Sequence, residues 1–88
     1  MTNWTGRLDF VQEWKDAEEG KVTPAEHCQK IAERLGASRY ARGRVVVEAI
    51  ARLEDLAKDH ATTLDDFDGV LESLYDWADE RRVWIATS

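Results

Sequence analysis

The chain has 88 residues, with 12 Lys or Arg against 18 Asp or Glu, a formal net charge of −6 and 43% apolar positions; this length holds one small domain, residues 1–88. No apolar run approaches the roughly 20 residues that cross a bilayer, so no membrane insertion is expected. The opening MTNWTGRLDF is neither a basic leader with an apolar stretch behind it nor an Arg/Ser-rich presequence, and a single Cys excludes an internal disulfide, which makes a reducing cytoplasm the expected compartment.

Punctuation by Gly, Pro and Thr divides the chain into four helical segments. In the first, residues 5–18, Trp4, Leu8, Phe10, Val11, Trp14 and Ala17 share one side of a helix drawn at about 100° per residue, and Gly20 supplies a stop. The second opens at Thr23, whose hydroxyl is placed to accept from the Glu26 amide while the Glu26 carboxylate reaches back to the Thr23 amide. Pro24 at the first helical position loses nothing by lacking an N–H. Cys28, Ile31, Ala32 and Leu35 form its apolar face, and Gly36 is its expected end.

The third segment is expected to start near Gly43, because an earlier start would drive Arg42 into the apolar arc of Val45, Val46, Ala49, Ile50, Leu53, Leu56 and Ala57. Residues 36–43 are then a loop or a separate turn. Its outer face alternates in sign, pairing Arg44 with Glu48, Glu48 with Arg52, Arg52 with Asp55, and Glu54 with Lys58 at helical spacing. The fourth segment, capped by Thr62 or Thr63 and ending near residue 82, separates most cleanly. Leu64, Phe67, Val70, Leu71, Leu74, Tyr75, Trp77 and Ala78 take one arc; Asp65, Asp66, Asp68, Glu72, Asp76, Asp79 and Glu80 take the other. Val83, Trp84 and Ile85 follow as an apolar tail. Short connections between such helices predict an all-α, antiparallel up-and-down bundle of four helices with that tail docked on it.

Charge is unevenly spread. Residues 30–52 hold six cations against two anions, a net of +4, whereas residues 53–88 hold three against ten, a net of −7. Along the fourth helix Asp65, Asp68, Glu72, Asp76 and Asp79 succeed one another three or four apart with no Lys or Arg between them. Like charges so spaced repel by a few tenths of a kcal/mol per pair, and the last of them sit toward the helix end whose dipole disfavours anions. This pattern suits a basic surface on a partner, with carboxylates standing where phosphates would sit in a nucleic-acid-handling protein.

In the basic middle, IAERLGAS over residues 31–38 resembles the first helix and turn of helix-turn-helix DNA-binding domains. Ala32 follows Ile31, Leu35 precedes Gly36 in the turn, and the resemblance implies a second helix opening at Ser38 and carrying Arg39, Arg42 and Arg44. Arg42 stands where that family packs an apolar side chain, and Gly43 falls inside the implied recognition helix. Independently of that family, Arg39, Arg42 and Arg44 are suited to grip a phosphate or a carboxylate bidentately.

No pattern of an active site is present. His27 and Cys28 are neighbours, and on a helix they point about 100° apart, too far to make a thiolate–imidazolium pair. His27 and His60 have no ligand partner at helical spacing for zinc. A calcium loop around Asp66, Asp68 and Gly69 fails because Leu64 and Tyr75 stand where oxygen ligands belong. The expectation is a protein without catalytic residues, metal or cofactor. Trp4 and Trp14 near one end and Trp77 and Trp84 near the other are expected to pack as one aromatic cluster, or, where exposed, to anchor a partner or a homodimer through the Trp84 tail.

The sequence thus predicts a non-catalytic acidic interaction module, an adaptor or inhibitor that binds a basic protein through Asp65, Asp68, Glu72, Asp76 and Asp79, with Trp77 and Trp84 as apolar anchors. In size and acidity it is similar to short accessory proteins by which phages and mobile elements block host nucleic-acid machinery. The alternative is a small DNA-binding regulator using residues 24–46 through Arg39, Arg42 and Arg44; the negative net charge works against nucleic acid as a partner.

Overall fold

In the computed structural model, which describes residues 4–87, the first segment is split. Residues 6–9 form strand β1 (Gly6–Asp9), and a helix begins only at α1 (Val11–Glu18). Leu8 and Phe10 are buried while Arg7 and Asp9 face water, an alternation of period two. The same apolar residues also fit a helical arc, but Gly6 weakens a helix, and the Asp9 carboxylate accepts from the Val11 amide at 3.0 Å, turning the chain into α1. The helix expected over residues 5–18 is corrected accordingly: its second half alone is helical, eight residues long, and none of them is buried.

What makes the strand possible lies far along the chain. The apolar tail docks as expected, but as strand β2 (Val83–Ala86), pairing parallel with β1 so that Gly6 faces Val83 and Asp9 faces Ala86. Val83, Ile85 and Ala86 are buried and Trp84 is exposed, which joins the ribbon to the helical core on one side. Thr5 clamps the junction: its amide donates to the Arg82 carbonyl, and its hydroxyl lies 2.9 Å from the carbonyls of Arg81 and Arg82. The molecule is mostly helical, with four helices among the described residues, and the helices-only expectation is corrected by this two-stranded parallel sheet.

The other three helices follow their punctuation closely. α2 (Pro24–Ala37) is capped by Thr23, whose hydroxyl accepts from the Glu26 amide at 3.1 Å. The reciprocal arm expected there is different in kind, since the Glu26 carboxylate meets the Thr23 hydroxyl at 3.3 Å. A complete capping box stands instead at α4 (Leu64–Arg81): Thr63 accepts from the Asp66 amide, and the Asp66 carboxylate accepts from the Thr63 amide at 3.0 Å. α2 runs one residue past Gly36 and closes at Ser38, whose hydroxyl donates to the Leu35 carbonyl at 2.7 Å. α3 (Arg44–Ala57) starts where Arg42 required it to, with Gly43 as its cap.

α2 packs most extensively on α3, and α3 on α4. Their facing stripes, with Phe10 and the β2 side chains, form one core around Ile31, Leu35, Val46, Leu53, Phe67 and Leu74, each less than 2% exposed. α1 is held at the side by Trp14, packed against that core, and by the Arg34–Glu13 ion pair at 3.3 Å. α4 ends on Arg82 in the left-handed conformation, φ 55° and ψ 47°, which reverses the chain into β2. A residue with a Cβ pays roughly 1 kcal/mol there.

Candidate interaction surface

On α4 the ribbon of carboxylates is laid out as the spacing requires. At about 100° per residue, Asp65, Asp68, Glu72, Asp76 and Asp79 fall within an arc of about 80° and span about 21 Å of helix axis. All five are exposed. None lies within 4 Å of a Lys, Arg or His among the described residues; the ion pairs found there are Arg7–Asp9, Lys21–Glu19, Arg34–Glu13 and Arg44–Glu48. Of the four pairs expected along α3, Arg44–Glu48 at 3.4 Å is the one that closes. Asp66, by contrast, is spent on the cap.

Gly69 borders that arc, about 20° beyond its edge, exposed, with nothing within 4 Å of the place a Cβ would occupy. An interior helical Gly costs roughly 1 kcal/mol relative to Ala, and no packing constraint demands it. Two costs to stability, the row of like charges and this glycine, thus coincide on one face.

The four tryptophans divide among three environments in place of the single cluster expected. Trp14 meets His27 and Phe67 edge-on, with centroids 5.5 and 5.7 Å apart. Trp77 is buried and packs edge-to-face on Tyr40 at 5.6 Å, so it faces away from the acidic arc and offers a partner little surface. Trp84, 46% exposed, stacks on Trp4 at 6.5 Å with the Arg7 guanidinium 4.8 Å from its ring. The two exposed indoles make an apolar step at the β1–β2 ribbon, with Trp84 five residues past Asp79 in the chain.

The basic middle forms no second helix at Ser38. Residues 38–43 are a six-residue turn, longer than the three or four residues of a helix-turn-helix, and Arg39 and Arg42 lie in it while Arg44 opens α3. Arg39 is anchored: one terminal nitrogen donates to the Thr5 carbonyl at 2.9 Å and to the Tyr40 hydroxyl at 2.8 Å. The Tyr40 hydroxyl rests directly against Gly6, where any Cβ would collide with it. The sequence held no sign of this contact, which joins a turn to a strand more than thirty residues away.

His27 and Cys28 are both buried on α2. Burial pushes the His27 pKa below its ordinary 6.5, against the pull of the Glu13 carboxylate and backbone. The Glu13 carbonyl approaches without reaching hydrogen-bond geometry, and neither ring nitrogen of His27 has a partner among the described residues. Burial, reinforced by the Asp66 carboxylate, pushes the Cys28 thiol up to about 11; it stays protonated at neutral pH, whereas a nucleophile needs the thiolate. Among the described residues no three His, Cys, Asp or Glu are grouped to hold a metal ion, and no helix is long and apolar enough to cross a membrane.

Comparison with protein families, with curated proteins and with solved structures gives no match to this chain.

Proposed function

We propose that the protein is a non-catalytic interaction module, an adaptor or inhibitor, that docks the acidic face of α4 on a basic surface of a nucleic-acid-handling protein. The observation that carries the reading is the uncompensated row Asp65, Asp68, Glu72, Asp76 and Asp79, exposed over one narrow arc with no described cation in reach. Arginines 39, 42 and 44 would have offset that row had they been distributed along α4. A rigid helix presents the charges at fixed spacing, so a complementary groove binds them without ordering a flexible chain. Gly69 lets such a partner approach the helix backbone, and the Trp4–Trp84 step supplies apolar contact.

Each exposed pair contributes about 0.2–1 kcal/mol. Neutralising Asp68, Glu72, Asp76 and Asp79 to Asn or Gln therefore removes about 2 kcal/mol in sum, or about 30-fold in Kd. Affinity capture from host extract, followed by titration of the purified captured protein, tests this. The reading expects a basic protein whose binding weakens with salt, is displaced by duplex DNA and falls about 30-fold in the quadruple variant. Equal binding by the variant overturns it, and retention of the protein itself on duplex DNA transfers the function to Arg39, Arg42 and Arg44. A second copy meeting at the exposed Trp4–Trp84 pair is the competing use of that step: a dimer mass that Trp84→Ala reduces to a monomer would assign the step to self-association.

A further inference from the structure

At the opposite side of α4 from the acidic row, a recess of about 330 Å3 opens between the 38–43 turn, the start of α3 and the end of α4. Arg39, Tyr40, Gly43, Trp77 and Arg81 line it, and none of its lining residues is acidic. Trp77 and Arg81, one helical turn apart, face it from α4. Trp77 as a residue is 9% exposed. Its indole nitrogen lies 3.8 Å from the Cβ position of Gly43. Unlike the buried nitrogens of Trp14 and His27, it is not closed off from solvent, so its N–H stays available beside the recess that Trp77 lines.

The donors around it converge. Arg39 spends one terminal nitrogen on Thr5 and Tyr40, which immobilises the guanidinium and leaves three of its five N–H groups. The Tyr40 hydroxyl accepts from Arg39 and keeps its own proton to donate. Arg81 takes part in no ion pair among the described residues. Gly43 caps α3 with no side chain, and the first turn of α3 contains no acid, so the positive end of that helix is uncompensated where Gly43 lines the recess. The walls between these donors are the edge-to-face rings of Tyr40 and Trp77. The net negative charge of the molecule is screened beyond about 8 Å at physiological salt, so the local arginines set the potential felt by a ligand inside.

We propose that this recess is a binding site for a small organic anion, a phosphate or carboxylate head group carried on a ring-sized apolar body. Arg39 and Arg81 hold the head group bidentately, Trp77 and the Tyr40 hydroxyl each donate to it, and the two rings enclose the body. The volume is at the lower end for small-molecule pockets, which limits the body to about one ring system.

The test is a titration of the 15N-labelled protein in physiological salt, read at the Trp77 indole N–H resonance, which is assigned by its absence in Trp77→Phe. The probes are phenyl phosphate, benzoate and inorganic phosphate. Phenyl phosphate or benzoate is expected to move that resonance saturably, at least about tenfold more tightly than inorganic phosphate, and Arg81→Gln, at an exposed position, is expected to weaken the binding at least about tenfold. No saturable shift at about 10 mM probe, shifts confined to the other indoles, or unchanged affinity in Arg81→Gln would each overturn the site. Inorganic phosphate binding as tightly as the ring-bearing probes would overturn the assigned ligand class.

Discussion

His27→Leu separates a buried neutral histidine from one that tolerates charge. The wild-type ring is 0% exposed, packed against Phe67 with centroids 4.6 Å apart and against Trp14, and both its nitrogens lack partners. Charged groups facing it are few: Glu13 on α1, itself engaged by Arg34, and Asp66 on α4, which acts on the adjacent Cys28. Because the folded pKa is depressed, the unfolded chain binds the extra proton. Stability is then complete above the unfolded value of about 6.5 and falls as pH drops below it. A native ring that never protonates sets the ceiling: a loss on the order of 1 kcal/mol between pH 7.5 and pH 5.5. For 88 residues, an unfolding entropy of about 2.1 cal/mol/K per residue turns that ceiling into about 5 °C in Tm. Leu fills a similar volume with no polar atom to satisfy, so at pH 7.5 the variant should match or exceed wild type. Thermal melts of both proteins from pH 7.5 to 5.5 measure the difference, and staying above pH 5 keeps most carboxylates ionised. Parallel curves for the two proteins would refute the reasoning.

Three further outcomes follow from the same geometry. Gly69→Ala should raise stability by about 0.5–1 kcal/mol in thermal or urea melts, because helix propensity improves and the site is open; a partner that needs close approach should bind this variant less well. Gly6→Ala should lower stability by about 1–3 kcal/mol by forcing the Tyr40 hydroxyl and Arg39 off β1, a loss that urea denaturation will register. The quadruple neutralisation of Asp68, Glu72, Asp76 and Asp79 should raise Tm at low salt, since it relieves like-charge pairs worth about 0.2–0.5 kcal/mol each, and the gain should shrink as salt is added.

How much was legible in the sequence depends on how local the deciding physics is. α2, α3 and α4 were legible because each carries its own punctuation: Thr23 with Pro24, the Arg42 conflict that set the start at Gly43, and a threonine at 62 or 63 ahead of α4. The acidic arc was legible for the same reason, since helical spacing alone places Asp65 through Asp79. β1 was not, because Leu8 and Phe10 satisfy a helical arc and a strand alternation equally, and the partner that decides between them is 77 residues away. Trp77 stood at the border of its apolar arc; Tyr40, itself delivered by a turn, draws it inward. The recess gathers Arg39, Tyr40, Gly43, Trp77 and Arg81 from separated stretches; Arg39 and Trp77 were distinctive in the sequence, but only the folded chain brings them together.

The parallel pairing of β1 with β2 also constrains the order of events during synthesis. Leu8 and Phe10 emerge early and find their lasting shelter only when residues 83–86 have been made. A nascent chain on the ribosome therefore carries its helical segments around an unfinished hydrophobic seam, and closing it means bridging nearly the entire polypeptide. A protease that clips away four residues at that seam would undo the fold while leaving every helix uncut.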